Sequence, residues 1–309
     1  MLTAEWLELW FNVYATNSVR TNTLEGYRRI VFNHLIPGLG DIPLAELKGI
    51  HIRKYINDKA TAGHIKDGGK HHMAILKMAL EQAVIDEEIS KNPALKVKLL
   101  KREKKEYIPW TKKEVELFLK HTKQTRFYPL YLLAWVTGMR RSELLGLQWH
   151  DIDFNKNLIY VRRSLVKVEG GCEIQEPKTK LSRRILTIPD KVMKVLQEWL
   201  EKQKREGKKK IDYNSLGFVF VNSSGRPYYP DYVSHKFQEY VKSAGLRQVR
   251  FYDFRHSHAT YLLELGEDIK VISDRLGHST IMLTGDTYTH VQQSIQQKVA
   301  KKLDEELNI

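Results

Sequence analysis

The chain has 309 residues, enough for one large domain or two ordinary ones with a real hydrophobic core. Its 42% apolar and 28% charged residues fit a globular protein; no apolar run approaches the roughly 20 residues that cross a bilayer, and the single cysteine, Cys172, excludes an internal disulfide or a cysteine-rich zinc site. Lysine and arginine outnumber aspartate and glutamate by 51 to 37, a net charge of +14, so the expected partner is a polyanion, nucleic acid first, while an anionic membrane surface fits less well because the basic residues are spread along the chain.

No basic-then-apolar leader opens the chain, which predicts a cytoplasmic protein. The first segment, TAEWLELWFNVYATNS, carries Trp6, Leu7, Trp10 and Tyr14 at helical spacing behind a Thr3 cap. NTLEGYRRIVFNHL repeats the pattern with Tyr27, Ile30, Val31 and His34, and PGLGDIP is expected to break it. HIRKYINDKATAG predicts a third helix and HHMAILKMALEQAVIDEEI a fourth, with Leu76, Leu80, Ala83 and Val84 on one face and Asn92-Pro93 as its end. Residues 1–98 thus read as an all-helical domain. The lysine-rich run KVKLLKREKKE over 96–106 has the composition of a linker, assigned to 99–109, and is either a solvated connector or a strand of cations laid along phosphates.

A second domain, 110–309, begins at TKKE, a capping-box pattern over 111–114, with helices to about Leu147. LIYVRRSLVKV, CEIQEP and RRILTIP read as strands, with Gly170-Gly171 as a hairpin turn between the first two. A helix from about Lys191 to Lys204 follows, then a short strand at GFVFV, then helices in PDYVSHKFQEYVKSAG, DFRHSHATYLLELG and DIKVISDRLG. This predicts a multidomain, mainly α protein with a small antiparallel sheet in its second domain, not a parallel α/β fold.

Four pieces of that domain carry candidate chemistry. In TGMRRSELLGL, Arg140 and Arg141 follow a glycine, and Glu143 stands three residues after Arg140, where a helix lets it hold one arginine rotamer. In EPKTKLSRRIL, Lys178 and Lys180 sit before a strand; such lysines are usually exposed and idle, and one held over a phosphate becomes a cation and proton donor. In FYDFRHSHATYLL, Arg255 and His256 open a helix whose N-terminus favours an anion, with Ala259, Tyr261, Leu262 and Leu263 on its apolar face. His256 and His258 lie two apart, not the four apart of a helical metal pair, so no metal site is expected. In GHSTIMLTGDTYTH, 277–290, His278 follows a helix end and Tyr288 stands between two histidines.

In order and spacing, GMRRSE, PKTK, YDFR, LGH and DTYTH resemble the tyrosine recombinase (phage integrase) family over nearly the whole chain, with a flavour of phage and conjugative-transposon integrases. The resemblance implies a helical core-binding domain and a catalytic domain forming a C-shaped clamp on duplex DNA. It implies strand cleavage by tyrosine attack on a phosphodiester, giving a 3′-phosphotyrosyl protein and a free 5′-hydroxyl, with no metal, cofactor or ATP. By resemblance Tyr288 is the nucleophile, Arg140 and Arg255 are the phosphate-binding arginines, His278 donates to the phosphate, and Lys178, with Lys180 as runner-up, protonates the leaving oxygen. Glu143 supports an arginine. The family's first histidine is Tyr252 here, which can donate a hydrogen bond but cannot readily take up a proton near neutrality.

The family further implies a tetramer of protomers on two DNA sites, mostly monomer without DNA, an excision or architectural protein as a further partner, and a nucleoid-associated location. Ile295, Val299 and Leu303 repeat at helical spacing in the tail, and a helix over about 292–306 is expected to dock on a neighbouring protomer. The chain starts directly at the core-binding helices, so the arm-binding domain of many integrases is expected to be absent or removed. The rivals are a type IB topoisomerase, which would relax supercoils as a monomer, and a DNA-binding protein of this fold without catalysis; the joint presence of both arginines, Lys178, His278 and Tyr288 argues against the second.

Overall fold

The computed structural model describes residues 1–19, 21–65, 69–99, 108–168, 170–176, 183–208, 210–277, 300 and 303–306. The chain divides into two compact units, Met1–Glu106 and Tyr107–Ile309.

The first unit is helical. Helix α1 (Thr3–Trp10) runs through a π turn (Phe11–Ala15) into the short α2 (Thr16–Ser18). Thr3, expected as the cap, is instead the first helical residue: the Glu5 carboxylate accepts the Leu2 N–H at 2.7 Å, and the Thr3 hydroxyl donates to the Ile42 carbonyl at 2.7 Å. Helix α3 (Thr21–Ile30) passes through a second π turn (Val31–Leu35) into α4 (Ile36–Leu39). The expected break at PGLGDIP therefore comes later than Pro37. The π turn, in which the Ile36 N–H reaches the Val31 carbonyl, precedes the proline and accommodates its missing donor, and the chain leaves the helix only after Leu39.

Helices α5 (Gly49–Thr61) and α6 (Lys70–Ile85) complete the unit. On α6, Leu76, Leu80 and Ala83 are buried as expected, and Val84 is only half-buried. The helix ends at Ile85, ahead of Asn92, whose side chain turns back to the Lys77 carbonyl. Trp6 anchors the core, 1% exposed, with its indole N–H on the Ala79 carbonyl at 2.9 Å. Burial of that ring contributes the larger share of its stabilisation, and the satisfied N–H removes the cost of burying a polar atom.

The second unit starts where the capping box predicts. Helix α7 (Lys112–Thr122) has Thr111 as N-cap, and the Glu114 carboxylate accepts the Thr111 N–H at 2.8 Å. Helices α8 (Tyr128–Thr137) and α9 (Arg141–Leu145) follow. Strands β1 (Ile152–Asp153), β2 (Leu158–Val161) and β5 (Arg184–Thr187) make an antiparallel sheet in the order β1-β2-β5. Between β2 and β5, β3 (Ser164–Val168) and β4 (Gly171–Gln175) form a separate hairpin with Val168 opposite Gly171.

The LIYVRRSLVKV segment is thus two strands, parted at Arg162 and Arg163, both drawn toward the buried Asp151. GFVFV makes bridges and not a regular strand: Trp149 donates to the Gly217 carbonyl and Val219 to the Leu147 carbonyl, which buries residues 218–221 against the 147–149 segment. Helices α10 (Asp190–Gly207), α11 (Pro230–Ser243), α12 (Phe251–Glu264) and α13 (Ile269–Leu276) close the core. That core centres on Trp110, Phe118, Tyr131, Phe237 and Phe254, whose rings meet at centroid separations of 5.0–5.9 Å. Among the described residues no helix is long and apolar enough to cross a membrane.

Candidate active site

The site is assembled at the ends of α8, α9, α12 and α13 and the start of β5. Gly138 ends α8 with φ +61, a left-handed turn that glycine adopts without strain. A side chain there would also collide, since its Cβ would lie 2.6 Å from both His258 Cδ2 and Leu276 Cδ2. The turn frees the Gly138 carbonyl for Arg255 and delivers Arg140 as the N-cap of α9.

Arg140 is held as the spacing suggests. Its backbone N–H donates to Glu143 Oε2 at 2.9 Å and its Nη1 to Glu143 Oε1 at 2.8 Å. Its Nη2 donates to the Gly277 carbonyl at 2.9 Å, and the side chain stays one-third exposed, 33%. Glu143 is 3% exposed and takes a second guanidinium from β5, Arg184, at 2.8 and 3.2 Å. Burial opposes ionisation of this carboxylate, but the guanidiniums of Arg184 and Arg140 outweigh it and hold the pKa below the ordinary value.

Arg255 lies in the second turn of α12, 3% exposed. One N–H, on Nη1, donates to the Gly138 carbonyl at 2.8 Å, while Nε and Nη2 have no hydrogen-bond partner among the described residues. Burial first, and the nearby Arg140 charge second, push its pKa down to about 10, so it stays charged at neutral pH. A buried, charged fork with open donors is costly unless an anion completes it.

The helix start differs from expectation: α12 begins at Phe251, which puts Arg255 in its second turn rather than at its opening. Asp253 occupies the helix start, accepting the Arg250 N–H. Tyr252, in the first turn and 48% exposed, lies edge-on to His256 with ring centroids 5.0 Å apart. It lines a cleft of about 830 Å³ together with Arg140, Arg141, Ser142, His235 and Arg250.

Arg141 lines the same cleft and bonds Ser234 on α11. His256 and His258 part: burial drives the His258 pKa down to about 3 in the core beneath Gly138, and His256 lies against Tyr252. The site thus brings together Arg140, Glu143, Tyr252 and Arg255. Lys178, Lys180, His278, Tyr288, Ile295 and Val299 lie outside the described residues, and Leu303 is exposed. Arg184 escaped the sequence reading. In RRILTIP it reads as a strand-end cation, and its partner Glu143 is 41 residues away, beyond any local periodicity.

The description "Phage integrase family" matches residues 109–294, and "Phage integrase, N-terminal SAM-like domain" matches residues 4–60. The chain is 34% identical over 242 residues to the ICEBs1 integrase of Bacillus subtilis, covering 75% of this chain and 64% of that relative, a little under two thirds of its length. It is 30% identical over 284 residues to a tyrosine recombinase XerC-like protein of Caldanaerobacter subterraneus subsp. tengcongensis, covering 86% of this chain and 72% of that one. In fold it is similar to the Tn1549 transposon integrase in complex with a circular intermediate DNA, with TM-score 0.82, 23% identity, and 97% and 99% of the two chains covered. It is also similar to a lambda integrase dimer bound to a COC′ core site, with TM-score 0.71, 19% identity, and 93% and 77% covered.

Proposed function

The chain belongs to the phage integrase family of tyrosine recombinases, and from that membership and the arginine geometry we propose that it is a site-specific DNA recombinase of a mobile element. The observation that carries the reading is Arg255, buried and charged beside Arg140, with two donor groups that find no partner among the described residues. A phosphodiester gathers negative charge on its nonbridging oxygens as a nucleophile attacks. Planar guanidinium forks fixed in advance stabilise that charge without reorganisation.

Tyr288 supplies the nucleophile and becomes joined to the 3′ phosphate. Its proton passes to water or His278 during attack, and the 5′ oxygen departs with a proton from Lys178. His278 and Tyr252 donate hydrogen bonds to the phosphate oxygens. The phosphotyrosyl bond conserves the phosphodiester's energy, so the 5′-hydroxyl of another strand can reverse the attack without ATP. Two protomers on each of two duplexes, a tail helix exchanged between protomers, and a nucleoid-associated location belong to the same proposal. Tyr252 at a position the family gives to histidine favours one second reading, a DNA-binding protein of this fold without catalysis.

Trapping tests both. The protein is mixed with nicked duplexes from a randomised pool, so that cleavage frees a short strand and prevents resealing, and adducts are read on denaturing gels. The expected adduct maps to Tyr288 and disappears in Tyr288→Phe. Tight binding with no adduct would give the silent reading; an adduct surviving Tyr288→Phe would put the nucleophile elsewhere.

A further inference from the structure

Arg184 closes a ring of contacts that joins three separate elements of the site. From the start of β5 its Nη1 and Nη2 meet both oxygens of Glu143 on α9, at 3.2 and 2.8 Å, and its Nε donates to the Arg275 carbonyl at the end of α13, at 2.7 Å. Glu143 in turn holds Arg140, and Arg140 donates to the Gly277 carbonyl just beyond Arg275. The guanidinium lies directly under Gly277: a Cβ there would come within 2.9 Å of Nη1. Arg184 and Glu143 are 7% and 3% exposed, so the link is shielded from solvent and held against salt screening.

We propose that Arg184 is a positioning residue for cleavage, acting through Glu143 on Arg140 and through the Arg275–Gly277 backbone on the chain that continues into His278. This rests on the recombinase reading. The residue stands at the strand that follows the segment bearing Lys178, so one side chain ties together the sequence neighbourhoods of the lysine, the first arginine and the histidine. Three donors on one fork serve two acceptor groups from different elements, which a lysine's single nitrogen on a flexible stem cannot reproduce. Without Arg184, Glu143 would be a buried carboxylate with half its partners gone. It would hold a proton to higher pH and release its grip on Arg140.

The test uses the full chain and the nicked duplex recovered by trapping, in Arg184→Ala, Arg184→Lys, Glu143→Gln and the Arg184→Ala/Glu143→Gln double variant. Single-turnover cleavage at saturating protein is expected to fall by about 10- to 100-fold in Arg184→Ala, by analogy with the loss of a hydrogen-bonding partner behind a metal ligand. The dissociation constant for the duplex is expected to change by less than about threefold. Arg184→Lys recovers part of the rate, the acid limb of the rate profile moves to higher pH in Arg184→Ala, and the double variant is no slower than the slower single one.

The proposal is overturned if Arg184→Ala cleaves at the native rate, if the losses in the double variant simply add, or if rate, affinity and melting temperature fall together in Arg184→Lys as well. If the native chain forms no adduct at all, the functional reading fails separately. Side-chain NMR of the arginine-labelled, DNA-free protein then decides the positioning: restricted guanidinium rotation at Arg140 that is lost in Arg184→Ala supports it, and an unchanged Arg140 signal refutes it.

Discussion

At the scale of single residues, the site carries its function as an unbalanced charge. Arg255 is buried and, among the described residues, makes one hydrogen bond where its fork could make several, beside a second arginine. Such an arrangement weakens the free protein and is favourable only around an anion. Arg255→Met is therefore expected to cut strand cleavage by roughly 10²–10³-fold, about 2.7–4 kcal/mol of barrier, the usual cost of one preorganised donor. The same variant should melt no earlier than the native chain; calorimetry showing a large loss of stability would mean that Arg255 is chiefly structural. Gly138 is the opposite case. Gly138→Ala meets both a left-handed backbone and contacts at 2.6 Å to His258 and Leu276, so it should cost about 2–4 kcal/mol in denaturant unfolding.

At the scale of elements, two local devices have measurable consequences. The Thr111–Glu114 box starts α7, and Thr111→Ala should destabilise the second unit by about 1 kcal/mol. The acid response of each unit includes a histidine that burial keeps neutral, His34 in the first and His258 in the second. In the first, His34 Nδ1 is buried with no hydrogen-bond partner among the described residues, and burial, followed by the charge of Lys59, lowers its pKa. The folded state then binds fewer protons than the unfolded one, so stability is lost as pH falls below the ordinary histidine value of 6.5.

In the second unit, Glu206 receives both ends of the Arg126 fork at 2.7 and 2.8 Å, and that hydrogen bonding brings its pKa down to about 2. Its contribution is present above 4.5 and disappears as pH falls toward 2. His258, which burial brings down to about 3, adds a loss in the second unit that also begins below 6.5, so hydrogen exchange followed by peptide should show α6 and α12 both losing protection below that pH; α12 unaffected until the pH approaches 2 would contradict this. His34→Phe should reduce the loss below 6.5 in the first unit and leave that of the second unchanged.

At the scale of the whole molecule, the net charge of +14 is the dominant quantity. If roughly 6–10 phosphates are contacted, DNA affinity should drop about 10³–10⁵-fold between about 50 and 200 mM salt, through release of condensed counterions. A titration that stays flat across that range would remove the electrostatic basis of the proposed function.

The sequence by itself determined the class of fold and the family, and it marked Arg140, Glu143, Tyr252 and Arg255, which the fold brings together. Each is written locally: in helical spacing, in a cap such as Thr111 with Glu114, and in short boxes whose order survives without any knowledge of contacts. Its errors were local too. Pro37 looked like a helix end because the π turn before it has no signature in periodicity, and GFVFV looked like a strand because continuous burial and strand pairing produce the same apolar run. What only the tertiary structure decided is how the cations are held. Arg184 reaches Glu143 across 41 residues, Arg255 reaches the Gly138 carbonyl across 117, and Arg140 reaches the Gly277 carbonyl across 137. Two of these acceptors are backbone carbonyls, which every residue possesses, so no residue type marks them in advance. They become partners only when packing of α8, α12, α13 and β5 excludes water and leaves each buried donor to find what lies beside it.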